Sequence, residues 1–208
     1  MVSPPDDELM TLRAAIDGDL DAFNLLLTRC QDAAFSIAYR MTGDRALAAD
    51  MVQEAVITAY RGIRTLRGER FRPWLLRIVV NRCTDELRRR RRRPTVSLTP
   101  DQPDSSDDEL PIPDSAPLPE EVAQTRELHA AIQACIDRLS LDQRAVLVLC
   151  DIEEMDYQAI ADTVGTQVGT VKSRLSRARA AVRDCLQSSR ELLPAVYRLY
   201  RQDDDRNS

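Results

Sequence analysis

Apolar residues recur at helical spacing in two stretches of the chain, residues 7–93 and 121–188. Intervals of three and four residues place these side chains on one face of each predicted helix, where they can be buried against a neighbouring helix. Long alternating runs of Val, Ile, Thr and Tyr, which are typical of strands, are absent from the sequence. The pattern therefore predicts an essentially all-α protein.

The first stretch is predicted to hold four helices with short breaks between them. The first helix runs from about Leu9 to Ile16, and Gly18 ends it. Asp19 is placed as the cap of a second helix, because its side chain can accept hydrogen bonds from the first free backbone amides. The inward positions of this second helix are Phe23, Leu26, Leu27, Cys30, Ala34, Ile37 and Ala38.

A third helix is predicted from about Arg45 to Thr65, after a turn at Gly43. Its apolar face consists of Ala48, Val52, Ala55, Val56, Ala59 and Ile63. Its other face shows Asp50, Gln53, Glu54 and Arg61. A fourth helix opens near Arg72-Pro73, since proline suits the first turn of a helix. Its inward residues are Trp74, Leu75, Ile78, Val79 and Leu87.

The second stretch contains the most specific pattern, in residues 157–175. A short helix buries Ile160, Ala161 and Val164, and Gly165 permits the left-handed backbone of a tight helix exit. A following helix buries Val168, Val171, Leu175, Ala178 and Val182. Its exposed face consists of Thr170, Lys172, Ser173, Arg174, Ser176 and Arg177. This is the layout of a helix-turn-helix, whose second helix meets base edges in DNA; a helical hairpin with a solvated basic face is the alternative.

Around a loop at residues 66–74, aromatic residues are interleaved with arginines. Arg77 and Asn81 follow on one helix face at a spacing of four residues. Such a loop can hold an unstacked base, with cations on the adjacent nucleic-acid backbone. The alternative for Phe71 and Trp74 is a place in the hydrophobic core.

Charge is distributed in blocks, although the net charge is only −5, from 29 basic and 34 acidic residues. Residues 82–93 hold seven arginines, and residues 172–190 hold six basic residues against one acid. Between them, residues 101–121 hold eight acids and no base. Two basic blocks that flank an acidic one indicate two separate contacts with a polyanion such as nucleic acid.

Residues 94–120 contain seven of the 11 prolines together with Asp, Ser and Glu. This composition cannot bury a core, so we expect a flexible, acidic linker. The C-terminal tail, residues 189–208, has a short apolar stretch before its acidic end. That stretch either folds back on the preceding helices or serves a partner.

The sequence offers little for bond chemistry or for membrane insertion. Its five cysteines include no Cys-x-x-Cys pair, and His129 is the only histidine, so we expect buried reduced thiols and no metal site. A nucleophile–base pair and a phosphate-binding glycine loop are also absent from the sequence. The prediction is therefore binding without enzyme activity, cofactor or small-molecule substrate. The acidic start and the lack of an apolar run of ~18 residues favour a cytoplasmic protein without membrane insertion.

These residues resemble a known family. The segment Ala48-Ala49-Asp50-Met51-Val52-Gln53-Glu54, followed by Trp74-Leu75 and Asn81, resembles the sigma-2 domain of extracytoplasmic-function (ECF) RNA polymerase sigma factors of the sigma-70 family. Leu139-Ser140-Leu141-Asp142-Gln143-Arg144 through Arg179 is similar to their sigma-4 domain. The resemblance implies two small helical domains, a sigma-2 bundle at residues 7–93 and a sigma-4 helix-turn-helix domain at residues 121–188, joined by the acidic, Pro-rich linker.

The resemblance also implies the partners and their contact residues. The β′ clamp helices of core RNA polymerase are expected to contact Asp50, Val52, Gln53 and Glu54. The −10 element of promoter DNA is expected to contact Arg67, Arg70, Phe71, Arg72, Arg77, Asn81 and Arg88. The −35 element is expected to contact Thr170, Lys172, Ser173, Arg174 and Arg177. The β flap of the polymerase and an anti-sigma factor are the remaining expected partners.

Two other functions stay open on the sequence alone. An ordinary helix-turn-helix regulator would bind duplex DNA stably without core polymerase, and it gives the surface around Asp50 no role. A sigma-like decoy that only sequesters an anti-sigma factor would not need the basic surface around Lys172. The sigma-factor hypothesis accounts for both surfaces.

Overall fold

A computed structural model describes residues 6–66, 70–92 and 119–188, and every regular element in these ranges is helical, as predicted. The first stretch forms helices α1 (Asp6–Asp17), α2 (Leu20–Thr28), α3 (Gln31–Thr42), α4 (Arg45–Gly62) and α5 (Phe71–Arg92). The second forms α6 (Pro119–Asp137), α7 (Leu141–Leu147), α8 (Tyr157–Val164) and α9 (Val168–Ser188). The predicted linker lies outside these ranges except for Pro119 and Glu120, which begin α6, and the C-terminal tail also lies outside them.

Three of the predicted helix boundaries in the first stretch are confirmed, at Gly18, Asp19 and Gly43. Gly18 follows α1 with a φ of +107°, and Gly43 ends α3 with a φ of +73°. Residues with a β-carbon adopt these left-handed conformations only at a cost in energy. The Asp19 carboxylate accepts hydrogen bonds from the backbone amides of Asp21 and Ala22, at 2.9 and 3.1 Å, and so caps α2 as expected.

The predicted second helix is in fact two helices, because the chain turns at Arg29 and Cys30. The Cys30 amide donates to the Leu27 carbonyl at 2.9 Å, three residues back, which tightens the end of α2. Apolar residues keep their helical spacing across this turn, so the sequence pattern does not reveal it. The turn allows α3 to pack against α4 and α5 while α2 packs against α1.

The helices surround two hydrophobic clusters. The smaller cluster connects α1 and α2 with the start of α5, and its buried residues include Leu12, Phe23, Leu26, Phe71 and Trp74. The larger cluster contains residues of both helical stretches, including Ile37, Met41, Val79, Val146, Leu149 and Ile160. Each stretch therefore buries apolar surface against the other. Among the described residues, no helix is long and apolar enough to cross a membrane.

A buried arginine lies where α3, α6 and α7 meet. Arg144 is 4% exposed, and its guanidinium donates to the backbone carbonyls of Met41, near the end of α3, and Asp137, at the end of α6. It also lies 3.1 Å from the Asp137 carboxylate. Burial lowers the pKa of Arg144, and Asp137 opposes this effect. The bonds satisfy carbonyls that helix ends leave unpaired, and they join the second stretch to the first.

A glutamine adds a second polar link between α6 and α3. The buried Gln133 side chain donates to the backbone carbonyl of Arg40 at 3.3 Å. Its amide oxygen accepts a hydrogen bond from the Arg40 guanidinium at 3.2 Å. The contact between the two stretches therefore combines apolar packing with matched polar groups.

Two of the cysteines form a disulfide, which corrects the expectation that the thiols are reduced. Cys135 of α6 and Cys185 of α9 are bonded, with their Cα atoms 5.7 Å apart. Cys30 and Cys83 are free and buried, as expected. Burial raises the pKa of the Cys30 thiol to about 11 and that of Cys83 to about 12, so both stay protonated at neutral pH. The disulfide connects α6 to the C-terminal half of α9.

Reduction of this disulfide should destabilise the protein. The bond spans 50 residues, and opening a loop of that length returns about 4 kcal/mol of chain entropy to the unfolded state. Calorimetry of the oxidised protein should therefore show a lower unfolding temperature after dithiothreitol is added. Cys135→Ser should unfold at the lower temperature with or without dithiothreitol. The control Cys150→Ser changes a free, half-buried cysteine and should keep the response. An unchanged unfolding temperature in the wild type would contradict the prediction.

Candidate nucleic-acid interface

One side of α4 carries the residues predicted to contact polymerase. Asp50, Gln53 and Glu54 are exposed, whereas Val52 is half-buried against the larger hydrophobic cluster. The opposite side of α4 buries Leu47, Ala48, Met51, Ala55 and Ala59. The structure thus places three of the four predicted residues on the open surface and the fourth at the margin of the core.

Two large apolar side chains extend this surface toward the end of α4. Ile57 is 51% exposed and Tyr60 is 50% exposed, at helical spacing from Gln53 and Glu54. Sequence analysis missed both residues, although their positions off the buried stripe were a usable signal. We call Asp50, Gln53, Glu54, Ile57 and Tyr60 the α4 face. Exposed aliphatic and aromatic groups beside polar ones are typical of protein-binding surfaces.

The two aromatic residues in the first turn of α5, Phe71 and Trp74, lie in the core. Phe71 is 1% exposed, and its ring meets the Phe23 ring edge-on with centroids 5.8 Å apart. The centre of the Trp74 ring system lies 6.0 Å from that of the Phe71 ring. Phe71, one of the residues predicted to contact the −10 element, is therefore placed under the surface rather than on it.

The polar residues predicted for the −10 element lie on more than one side of α5. Arg70 precedes the helix, and Arg72 lies in its first turn; both are exposed. Arg77 is half-buried and Asn81 is exposed one turn later on the same side. Arg72 lies about 140° around the helix from Arg77, because five residues separate them. Arg67 lies outside the described residues.

The C-terminal end of α5 is a row of exposed arginines, Arg88 to Arg92. The Glu86 carboxylate accepts hydrogen bonds from Arg89 at 2.6 and 3.0 Å and from Arg90 at 2.9 Å. These bonds lower the pKa of Glu86 to about 2, so it remains ionised at neutral pH. Cations at this position also meet the partial negative charge of the last helix carbonyls. One acid among five arginines leaves the helix end strongly basic.

Helices α8 and α9 form the predicted helix-turn-helix. The Asp156 carboxylate caps α8 by accepting from the Ala159 amide at 2.8 Å, and Gly165 ends the helix with a φ of +65°. Buried residues of the pair include Ile160, Ala161, Val171, Leu175 and Ala178, as predicted. Their burial determines which side of α9 is open to solvent.

The open side of α9 is basic and polar. Lys172, Ser173 and Arg177 are exposed, and Thr170 is half-buried, with its carbonyl accepting from the Ser173 hydroxyl at 3.0 Å. Ser176 is exposed between them and was not among the residues predicted to contact the −35 element. We call Lys172, Ser173, Ser176 and Arg177 the α9 face. Helical spacing from Lys172 and Ser173 indicates that Ser176 belongs to it.

Arg174 lies on the flank of α9 rather than on the α9 face. Its side chain is half-buried, and its Nη2 donates to Oδ2 of Asp142 at 2.7 Å. Asp142 belongs to the first turn of α7, 32 residues earlier in the chain. In the described part of the chain, the other residues predicted to contact the −35 element form no ion pair with an acidic side chain.

A cleft of about 880 Å³ lies beside the α9 face, between the start of α8 and α9. It is lined by Tyr157, Lys172, Leu175, Ser176, Arg179, Ala180 and Arg183. The Lys172 ammonium lies 5.7 Å from the centre of the Tyr157 ring, in a cation–π contact. Arg179 donates to the Asp151 carboxylate at 3.0 Å, which raises the pKa of Arg179. The cleft thus continues the basic surface along α9.

Two family profiles match the two helical stretches. Residues 26–93 match the profile described as Sigma-70 region 2, and residues 129–182 match the one described as Sigma-70, region 4. The first match includes the α4 face and α5, and the second includes the helix-turn-helix. Both halves of the resemblance seen in the sequence are therefore confirmed.

Curated relatives match most of the chain. The ECF RNA polymerase sigma factor SigE of Mycolicibacterium smegmatis is 35% identical over 188 residues, which are 89% of this chain and 70% of that protein. The RNA polymerase sigma-H factor of Pseudomonas aeruginosa is 35% identical over 82% of this chain and 89% of its own length. The ECF RNA polymerase sigma-E factor of Escherichia coli K12 is 34% identical over 82% of this chain and 89% of its own length.

Two solved structures share the fold. CnrH, solved in complex with the cytosolic domain of CnrY, superposes with a TM-score of 0.63 at 24% identity, over 88% of this chain and 99% of CnrH. RpoE of Bartonella quintana, solved with the anti-sigma factor NepR, gives a TM-score of 0.62 at 22% identity, over 81% of this chain and 98% of RpoE. Taken with the profiles and the curated relatives, these comparisons show that the chain belongs to the ECF RNA polymerase sigma factors of the sigma-70 family, which direct core polymerase to promoters.

Proposed function

We propose that the α4 face binds core RNA polymerase, that α5 and the α9 face bind the −10 and −35 elements of promoter DNA, and that the chain acts by binding alone. The observation that carries the proposal is the α9 face. Lys172, Ser173 and Arg177 lie opposite the buried Val171 and Leu175, in the first half of the second helix of a helix-turn-helix. Lysine, serine and arginine can donate hydrogen bonds to base edges and phosphates.

The two helical stretches serve as two binding domains in this proposal. Residues 7–93 form the domain for core polymerase and the −10 element, and residues 121–188 form the domain for the −35 element. The family profiles at residues 26–93 and 129–182 support this division. Residues 94–120 act as the linker, and their length limits the distance between the two DNA elements that one chain can contact.

For the −10 element, we assign the direct contacts to the polar side of α5. Arg77, Asn81 and Arg88 share one side of the helix by spacing, and Arg70 lies before its first turn. A melted strand offers unpaired base edges to such groups and phosphates to the arginines. Phe71 is assigned a supporting role, because its ring is buried under this surface.

For core polymerase, the α4 face supplies both charge and apolar area. Its acids and amide suit a basic partner helix, and Ile57 and Tyr60 add exposed surface that a partner can bury. By resemblance, the partner at this face is the β′ clamp, and the second domain meets the β flap.

An anti-sigma factor is a further proposed partner. RpoE of Bartonella quintana was solved with its anti-sigma factor NepR, and it shares the fold of this chain. The α4 face is exposed in the structure, and masking it would prevent polymerase binding. We also propose that the chain acts in the cytoplasm, because bacterial promoter DNA lies there.

The function is tested by run-off transcription with core polymerase and fragments of genomic DNA, followed by mapping of the start sites. We expect discrete starts that share sequence elements near −35 and −10. Stable binding of the chain to duplex DNA, without any polymerase-dependent transcript, would instead support a regulator that acts without core polymerase.

Removal of the two cations of the α9 face should abolish use of the −35 element. Each specific contact to a base is worth about 1–3 kcal/mol, so Lys172→Ala with Arg177→Ala should reduce transcription from a −35-dependent promoter by about 100-fold. Arg13→Ala, which removes one cation at an exposed site on α1, is a control and should retain activity. Full activity of the double variant in the run-off assay would contradict the assignment.

Truncation of the α4 face should weaken polymerase binding without weakening DNA contacts. Glu54→Gln with Ile57→Ala removes one charge and one exposed apolar group, and we expect about tenfold weaker binding, equivalent to about 1.4 kcal/mol. Competition of each variant against labelled wild-type protein for core polymerase measures this. The control pair, Asp17→Asn with Leu9→Ala, makes equivalent changes at exposed sites on α1. Equal competition by the two pairs would count against the α4 face.

A further inference from the structure

The disulfide between α6 and α9 joins two helix segments that bury few other side chains. In α9, residues 179–188 include no fully buried side chain, and Val182 is half-buried against the larger hydrophobic cluster. In α6, the side chains described from Thr125 onward include three buried ones, those of Gln133, Cys135 and Ile136. Segments with few buried contacts open locally at a low cost in free energy. The covalent bond therefore largely determines how firmly the end of α9 is held against α6.

The two sulfur atoms of this bond differ in their access to solvent. Cys135 is only 2% exposed, whereas Cys185 is half-buried. The exposed guanidinium of Arg138 donates to Sγ of Cys185 at 3.6 Å. A cation beside a sulfur atom stabilises the thiolate, which is the reactive form in thiol–disulfide exchange. The bond thus has one sulfur that a small thiol can reach, with a cation placed next to it.

The compartment of the protein bears on whether the bond is permanent. In the cytoplasm, small thiols keep most cysteines reduced, and the disulfides that do form there are usually transient or redox-sensing. Exposed disulfides are also more easily reduced than enclosed ones. This step rests on the cytoplasmic site of action proposed above. A bond that opens and closes with the redox state of its surroundings fits these conditions better than a permanent one.

Opening of the bond takes two electrons and two protons, which two molecules of a small thiol such as glutathione supply. The thiolate of the first molecule attacks Sγ of Cys185, the S–S bond breaks, and Cys135 leaves and takes up a proton, because burial disfavours a thiolate. The second molecule attacks the sulfur of the first. Cys185 then leaves as a thiolate beside Arg138 and is protonated, and the two small molecules depart as a disulfide. Closing follows the same steps in reverse, with the small disulfide as oxidant.

We propose that Cys135 and Cys185 form a redox-sensitive switch in the second helical stretch. When the bond is closed, the last turns of α9 are held against α6, and Arg183 is kept in line with Lys172 and Arg179 along the cleft. When the bond is open, these turns fray, while the buried side chains in the first half of α9 keep the α9 face in place. Reduction therefore leaves the cleft with one fixed cation fewer for a phosphate-bearing partner.

Hydrogen–deuterium exchange with mass spectrometry tests the switch on the full-length chain, oxidised and then reduced with glutathione. Amides of residues 181–188 should exchange about tenfold faster after reduction, whereas those of residues 171–178 should change by less than about twofold. Oxidised glutathione should restore the slow exchange. Cys135→Ser should exchange fast in both buffers, and Cys150→Ser, which changes a free cysteine, should respond like the wild type. The wild-type comparison needs no substitution, so it holds even where a variant fails to fold.

Loss of the fixed cation is measured by binding to a mixed-sequence duplex of about 30 base pairs without core polymerase, because phosphate contacts dominate such binding. By fluorescence anisotropy, the oxidised protein should bind about threefold more tightly than the reduced protein, with a log–log salt slope steeper by up to about 0.9. Arg183→Gln should bind equally in the two redox states. Its matched control, Arg13→Gln at an exposed site on α1, should keep the difference.

Equal exchange of residues 181–188 in the oxidised and reduced protein would overturn the switch. Faster exchange throughout α7 and α9 alike would also overturn it, because the effect would then be global, and so would a bond that stays closed in the most reducing glutathione buffer. Equal duplex affinities in the two redox states would overturn the effect on the cleft. These measurements need neither polymerase nor a promoter, so absence of any polymerase-dependent transcript in the run-off assay rejects the proposed function alone.

Discussion

The arrangement of the two helical stretches depends on one buried guanidinium. A buried charge is costly unless it is paired and hydrogen-bonded. Both terminal nitrogens of Arg144 donate to carbonyls at the ends of two helices, those of Met41 and Asp137, whereas its buried Nε has no hydrogen-bond partner in the described part of the chain. Helix ends carry partial negative charge, so a cation suits the point where α3 and α6 converge. Because Arg144 belongs to α7, its bond to Met41 also fixes the position of α7 against the first stretch. The first turn of α7 then brings Asp142 to the arginine end of α5.

Much of the fold could be predicted because the signals for helix ends are local. Asp19 and Gly165 act within one turn of their own positions, and apolar spacing indicates which side of each helix is buried. The turn at Cys30 could not be predicted, since the apolar spacing continues through it. The disulfide between Cys135 and Cys185 was missed for a related reason. Its cysteines are 50 residues apart, and spacing along a chain does not report distance in space.

The candidate surfaces were predictable to different degrees. Exposure of Lys172 and Arg177 follows from periodicity, because the buried positions of α9 determine its open side. Phe71 illustrates the limit, since an aromatic residue beside arginines suits both a base-stacking site and a core, and only the packed rings decide. The pairing of Arg72 with Glu153 joins residues 81 positions apart and depends wholly on how the stretches pack.

Arg174 is predicted to contact DNA, yet it is paired within the protein. On α9 it lies between the buried stripe and the α9 face, and its guanidinium donates to the Asp142 carboxylate of α7. If it reads DNA, its bond to Asp142 must break when the promoter binds. If it only positions α7 against α9, that bond persists in the DNA complex. Because Arg88 shares the same carboxylate, the two guanidinium groups repel each other across it, and loss of the Asp142 contact by either arginine leaves the other more tightly paired.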